Sequence, residues 1–450
     1  MSSEAIDTQT AGNVLAEDFN AYTLLGFAAP TIFMMLFFGL YTIVDIIFVA
    51  RGVNTDALSA INIVTPVINL IVGLSTMLAT GASALIARKM GNNKLAEARG
   101  NFSLIVATAA MTGIVIAISG LLFLDPLLEK LGASTQILPF CRDYLGTLLF
   151  FTPMNMLQVI FACLFVTAGR PGFGMMIGVA GGLANALFDY LLIIVFPMGI
   201  TGAALATGIG YAIPAIAGLV FFCCNRRGTL FFSKPGLNFS VLAESICNGS
   251  SEMVGQLATA VTTFLFNIAM MRLLGEDGVA AITIMIYTQF LLSTFFIGFS
   301  MGVAPVISYN YGRRDKDKLK QIIAICLGVT GAASLATTTV TLVSGGMLAG
   351  IFSPPGSTVY TIARAGFLIF PLAFLFIGFN IFGSAMFTAL SNGRISAALS
   401  FFRSLLIALC IIALPHYLGV NGIWMAVPLA ELVSFIMALG LFTKAAGSYP

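Results

Sequence analysis

Asp45, Asn185, Asp189 and Thr207 are oxygen-bearing side chains set in otherwise apolar stretches. Asp45 is the only charged residue between Asp18 and Arg51, and Asp189 is the only one between Arg170 and Arg226. Asn185 and Asp189 are spaced i,i+4, so a helix carries both on one face. Carboxylate, carboxamide and hydroxyl oxygens suit a hard cation such as Na+. Two neighbouring carboxylates can instead hold a proton between them. The same residues serve both chemistries, so residue type leaves H+ and Na+ open. Asp45 also has a plainer reading, in which it snorkels to the interface near Arg51.

The elements that must position these groups follow from composition. The chain has 450 residues, 59% of them hydrophobic and 9% charged. Soluble domains carry about 25% charged residues. A mean hydropathy of +1.01 points the same way. A bilayer core needs roughly 20 apolar residues per helix. Twelve apolar runs fall between polar breaks: 22–50, 57–87, 101–124, 138–168, 171–196, 202–224, 241–274, 278–308, 319–351, 360–390, 393–415 and 420–443. A β-barrel would show short alternating strands instead. The expected fold is an all-α integral membrane protein with twelve transmembrane helices. Charge in hydrocarbon is costly and usually marks an ion pathway or relay, so the chain reads as an ion-coupled transporter.

With the N-terminus inside, fifteen of the 21 Lys and Arg residues fall in cytoplasmic segments. They run from Arg88, Lys89, Lys94 and Arg99 through Arg170, Arg226, Arg227 and Lys234. Arg313, Arg314, Lys316, Lys318, Lys320, Arg394 and Lys444 complete the set. The opposite face holds Arg51, Lys130, Arg142, Arg272 and Arg364. The positive-inside rule then places both termini in the cytoplasm of a multi-pass inner-membrane protein. Residues 1–21 lack the basic start of a signal peptide and read as a solvated cytoplasmic tail. On this topology Asp189 lies about 28 Å along its helix from Arg170 at 1.5 Å per residue. Asp45, Asn185, Asp189 and Thr207 then meet in the outer third of the membrane. The seven cysteines show no ligand-like spacing, so neither a disulfide framework nor a zinc site is expected. His416 stands alone at a helix end and reads as interfacial.

The chain repeats itself. Gly81–Gly91, GASALIARKMG, is matched by Gly302–Gly312, GVAPVISYNYG. Thr167-Ala168-Gly169-Arg170 recurs as Thr388-Ala389 and Gly393-Arg394, and Met198–Gly202 recurs as Leu418–Gly422. Pro153 and Pro371 stand in the fourth span of each half. Six spans per half return the chain to one side, so the repeats are parallel, as in transporters that rock one half on the other. The expected organisation is a tail at 1–21, an N-lobe at 22–224, a cytoplasmic linker at 225–240 and a C-lobe at 241–450.

The second half does not copy the acidic set. Its intramembrane charges are Glu252, Arg403 and Glu431. Glu252 could contact a cationic substrate or carry a proton, or bond Ser250, Ser251 or Gln256. Arg403 and Glu431 share mid-depth on consecutive spans and suit a structural ion pair. No phosphate-binding G-x-x-x-x-G-K-[ST] loop, H-E-x-x-H or G-x-S-x-G motif is present, so no cofactor, nucleic acid or enzymatic chemistry is expected.

Twelve spans in two halves, with GASALIARKMG and GVAPVISYNYG closing spans 2 and 8, resemble the multidrug and toxic compound extrusion (MATE) family over roughly 22–443. Within it the chain is similar to the DinF-like prokaryotic branch. That resemblance implies a cation site at Asp45, Asn185, Asp189 and Thr207, with Na+ as one candidate occupant. It implies a V-shaped pair of six-helix lobes around a central cavity, exporting organic cations or amphiphiles in exchange for H+ or Na+. Other branches place carboxylates in spans 7 and 10. Glu252 matches the first, but Asn380 stands at the second and cannot carry a proton. The protein is expected to act as a monomer. The alternative from the wider superfamily is a flippase for lipid-linked precursors, whose anionic headgroup calls for a basic cavity around Arg403, Arg142 or Arg364.

Overall fold

The computed structural model describes residues 14 to 446 apart from positions 54 and 237. The start of the expected tail and the side chains of Arg51 and Lys444 lie outside the described residues. Among the described residues every regular element is helical. A 3-10 turn, Val14–Ala16, leads into α1 (Ala21–Gly52), α2 (Thr55–Gly91), α3 (Leu95–Leu122), α4 (Leu124–Lys130), α5 (Leu138–Phe150) and α6 (Thr152–Thr167). α7 (Pro171–Asp189) continues as a π-helical turn at Tyr190–Val195, and α8 (Gly199–Cys224) closes the first half. The second half comprises α9 (Phe239–Arg313), α10 (Lys316–Phe352), α11 (Thr358–Gly366), α12 (Phe374–Ala389), α13 (Gly393–Leu418) and α14 (Val420–Ala446). Asn20 opens α1 with a capping box, its side chain accepting from the Thr23 amide while Thr23 accepts from the Asn20 amide.

Twelve spans emerge once two local breaks are understood. α9 consists of two helical arms joined at Gly275, whose φ of 67° and ψ of −151° are not helical. A β-carbon at Gly81 would strike the Ser245 carbonyl, and one at Gly91 would strike the Tyr309 carbonyl. Ser245 and Tyr309 therefore both sit near one end of α2. A straight helix would hold them nearly 100 Å apart at 1.5 Å per residue. The chain must reverse at Gly275, in a backbone conformation that only glycine adopts easily. The second break joins α5 to α6, which bend by 54° between Phe150 and Thr152 to make one span. Pro153 follows that bend. In the second half Pro371 lies in a 3-10 turn, Phe370–Ala373, between α11 and α12. The fourth span of each half is thus broken where proline removes a backbone donor.

The internal repeat is visible in the backbone. Asn93 and Arg314, 221 positions apart, both turn left-handed at φ 60°. Gly169 (φ 71°) and Ser391 (φ 59°) do so 222 apart, and Gly199 (φ 62°) and Gly419 (φ 56°) 220 apart. The same sharp exits recur, in the first two pairs with different residues at the turn.

The halves meet along two related seams. α2 packs on the first arm of α9, and α1 packs on the second. Small residues allow this, since lipid supplies no hydrophobic force and close packing must hold helices together. Gly298 and Gly302 admit Ile32, Thr31 and Ala28, while Gly39 faces Thr294 at mid-depth. Gly249 faces the Met77 carbonyl, and Gly73 meets Gln256 at mid-depth. Every one of these contacts lies between mid-depth and the face that carries residues 14–20, here the basal face. Arg88 of α2 and Glu244 of α9 close the basal end with an ion pair at 2.6 Å. The tail expectation needs correction here. Leu15 is fully buried and Phe19 nearly so, because these two apolar residues, four positions apart, tuck beneath the helices rather than remain in water.

Candidate functional site

The register between α1 and α7 brings the acidic residues together. These helices run the same way, with Met34 against Gly178, and Phe37 and Tyr41 against Gly182. One turn further along each lie Asp45 and Asn185, then Asp189. The carboxyl groups of Asp45 and Asp189 interact directly. Asp189 is wholly inaccessible and Asn185 is 3% exposed. One Asp45 oxygen, both Asp189 oxygens and both Asn185 amide atoms are buried without a hydrogen-bond partner. Two carboxylates are both acceptors, so facing one another satisfies neither. Only a shared proton or a cation joins them, and buried polar groups left unpaired are costly.

α8 completes the set from the other side. Gly210 packs against the Asn185 β-carbon and the Gly181 carbonyl, while Gly202 packs against Leu192. Interpolation along this antiparallel pair puts Thr207 level with Asn185 and Asp189. Its hydroxyl donates to the Ala203 carbonyl at 3.0 Å, which leaves its oxygen free to accept or ligate. Oxygens from α1, α7 and α8 thus gather at one depth, in the half of the protein away from the basal face.

Three tyrosines missed by the sequence reading belong here as well. Tyr41 and Tyr144 lie within electrostatic reach of both Asp45 and Asp189, and Tyr211 within reach of Asp45. They come from α1, α5 and α8. Tyr41 had a signal, being four residues before Asp45 on the same helix. Tyr144 and Tyr211 had none, because aromatic residues in apolar spans most often face lipid or core.

The second half is wired differently. Arg403 donates to Glu431 Oε1 through Nε at 2.8 Å, and through a second nitrogen at 2.6 Å. Asn380 donates to Glu431 Oε2 at 2.6 Å and to its carbonyl at 2.9 Å. Glu431 is fully buried, and its oxygens are consumed within the protein. Asn380 therefore serves this ion pair. Glu252 stands apart from that network. It is partly exposed on the first arm of α9 and within electrostatic reach of Cys163 on α6, across the seam. The Ser250 hydroxyl donates to the Cys247 carbonyl, and the Ser251 hydroxyl has no partner, so neither serves Glu252. His416 is exposed at the end of α13. Among the described residues no three His, Cys, Asp or Glu side chains gather as metal ligands. An ion at Asp45 and Asp189 would need Asn185, Thr207 or backbone oxygens besides.

Comparison with known proteins agrees with this architecture. The MatE family model matches residues 30–191 and again 252–414, one copy per half. The chain is 22% identical over 425 residues to the multidrug export protein MepA of Staphylococcus saprophyticus, covering 92% of each. It is 23% identical over 424 residues to that of Staphylococcus haemolyticus, again covering 92% of each. Among solved structures, an outward-facing multidrug resistance MATE transporter of the MOP superfamily superposes with a TM-score of 0.90 at 21% identity, covering 95% of this chain and 96% of that one. A MATE protein in complex with MaL6 gives 0.91 at 20% identity, covering 100% and 99%. A MOP superfamily transporter from Pyrococcus furiosus, whose binding pocket is described as reversed in polarity, gives 0.89 at 20% identity over the same shares. Two matched copies, twelve spans and the repeated left-handed exits make this chain a member of the MatE family, a multi-pass membrane transporter of small molecules and not an enzyme.

Proposed function

We propose that the protein is a cation-coupled antiporter, using H+ or Na+ to export organic cations, drugs or amphiphilic metabolites by alternating access. The observation that carries this reading is the group of orphaned oxygens on Asp45, Asn185 and Asp189, buried in the distal half of the first lobe. Such a group is stable only when a proton or cation occupies it, so its occupancy must trade against another state of the protein. Fifteen basic residues on the basal side support a cytoplasmic basal face and, with it, cytoplasmic termini.

The seams support the direction of the cycle. The halves touch from the basal face to mid-depth, which suits a state closed toward the cytoplasm and open outside. A cation entering from outside reaches Asp45 and Asp189. Binding draws α1, α7 and α8 together and favours the opposite opening. Tyr41, Tyr144 and Tyr211 offer hydroxyls that orient the carboxyl pair as its charge changes. Glu252 on the seam supplies the negative charge that would attract a cationic substrate. The flippase alternative finds less support. Arg403 is committed to Glu431, Arg142 pairs with Asp125 at 2.7 Å, and Arg364 is exposed.

The test is export of a cationic dye from proteoliposomes under an imposed Na+ gradient or an imposed H+ gradient, each applied alone. Export driven by one of them, and lost in Asp189→Asn, supports antiport. Flipping of a labelled lipid without dye export would replace it with the flippase.

A further inference from the structure

We infer that residues 14–20 form a strap across the basal mouth, which must let go of one lobe before the transporter can open to the cytoplasm. This inference rests on the alternating-access reading above. The strap is held by both halves at once. On the first lobe, Val14 packs where Gly169 turns left-handed between α6 and α7, within 3.4 Å of where a β-carbon would stand. The Phe19 ring meets Phe27 of α1 edge-on at 5.7 Å. On the second lobe, the Val14–Ala16 turn lies against α9, and Asp18 pairs with Lys318 in the first turn of α10.

Burial shows that the strap is more than a tail resting on the surface. Leu15 is 0% exposed and Phe19 5%. They join one continuous core with Leu164 and Phe165 of α6, Tyr309 of α9, and Leu319 and Ile322 of α10. Opening the basal face must separate α6 from α10, and Leu15 touches this shared core. It cannot remain with both. The anchors are unequal. The capping box of Asn20 and the Phe19–Phe27 contact fasten the strap to α1. Its hold on the second lobe is an apolar insertion and an ion pair whose Asp18 side chain is 86% exposed.

Asp18 is therefore the point of release. Lys318 holds its carboxyl below the usual range, so the pair is ionised at neutral pH. When the lobes part, the strap leaves α10 and travels with α1. Its strength on α10 sets how often the unloaded protein opens inward.

The experiment uses the whole protein in lipid nanodiscs, with the exposed Cys223, Cys224 and Cys247 replaced by serine. Spin labels at Asn92→Cys, after α2, and Asp317→Cys, in α10, report separation of the basal face by pulsed electron resonance. Leu15→Ala is expected to raise the separated population at least about fivefold, and Asp18→Asn, which removes an exposed ion pair, about twofold. The pair Asp18→Lys with Lys318→Asp is expected to restore the parent distribution. Asp18 is exposed, so its variant cannot act through misfolding of a core. A separated population that exists in the parent but ignores both single variants would overturn the strap. Failure of the exchanged pair to restore it would remove the ion pair from the account. If neither gradient nor substrate ever produces separation, alternating access itself is what has failed.

Discussion

The carboxyl groups of Asp45, one helical turn beyond Tyr41, and Asp189, two turns beyond Gly182, meet where those two residues pack, and one Asp45 oxygen and both Asp189 oxygens have no hydrogen-bond partner. Helices α1 and α7 run parallel here, so a shift of either by one turn would break the pair. The site is a property of register. This makes it suited to coupling, because whatever neutralises the two carboxylates also locks two helices together.

The tyrosines around the pair should tune it. When an ion draws the pair together, a Tyr211 or Tyr144 hydroxyl within electrostatic reach would bond it, and Tyr211→Phe or Tyr144→Phe would remove that bond to a charged group, worth about 1.5 kcal/mol. The expected result is a roughly tenfold weaker apparent affinity for the coupling ion, with maximal export rate preserved. Transport assayed across a series of ion concentrations checks this. An unchanged half-saturation in both variants would remove the tyrosines from the site.

The ion pair of the second lobe should behave structurally. Arg403→Met strands Glu431 in a fully buried position, a loss of about 3–5 kcal/mol when one partner of a buried pair is removed. The purified variant should unfold at clearly lower temperature. Arg403→Met combined with Glu431→Met should recover most of that loss. A double variant as unstable as the single one would show that the pair is not what sets stability there.

The glycine seam should tolerate no side chain. Gly249→Val places methyl groups against the Met77 carbonyl, at a cost of about 1–3 kcal/mol for overpacking. Because the clash exists only while the basal face is closed, the variant should favour the opposite opening. Greater accessibility of basal seam cysteines to an aqueous reagent would report this. Parent-like accessibility would mean that the backbone relaxes locally instead.

Glu252 should affect substrate and leave the coupling ion alone. Glu252→Gln is expected to weaken export of a monovalent organic cation about tenfold in apparent affinity, while a neutral amphiphile is handled as before. Competition between the two substrates measures this. Equal losses for both would point to a general role in the helix.

Much of this was legible in the residues, for definite reasons. Apolar runs reveal spans because hydrocarbon excludes polar backbone from anything but closed helices. Asp45 and Asp189 stood out because charge is rare in such runs. The convergence with Asn185 followed from helix spacing plus span direction. Other features required coordinates. Tyr144 reaches the carboxyl pair only through packing of α5, which periodicity cannot reveal. The reversal between the runs 241–274 and 278–308 was legible from Gly275, Glu276 and Asp277, and only the backbone conformation of Gly275 had to come from the structure. Leu15 and Phe19 were hidden in a segment with four acidic residues and no basic one, whose composition resembles a solvated tail. Sparse apolar residues become a plug only when a cleft is there to receive them.

The most direct measurement is cation binding by the purified protein in nanodiscs. Radioactive Na+ retention would be followed in parallel with proton release on substrate addition. The account predicts one cation of a single kind per chain for the parent protein, and none for Asp45→Asn or Asp189→Asn, both still folded. Undiminished stoichiometry in both variants would contradict it.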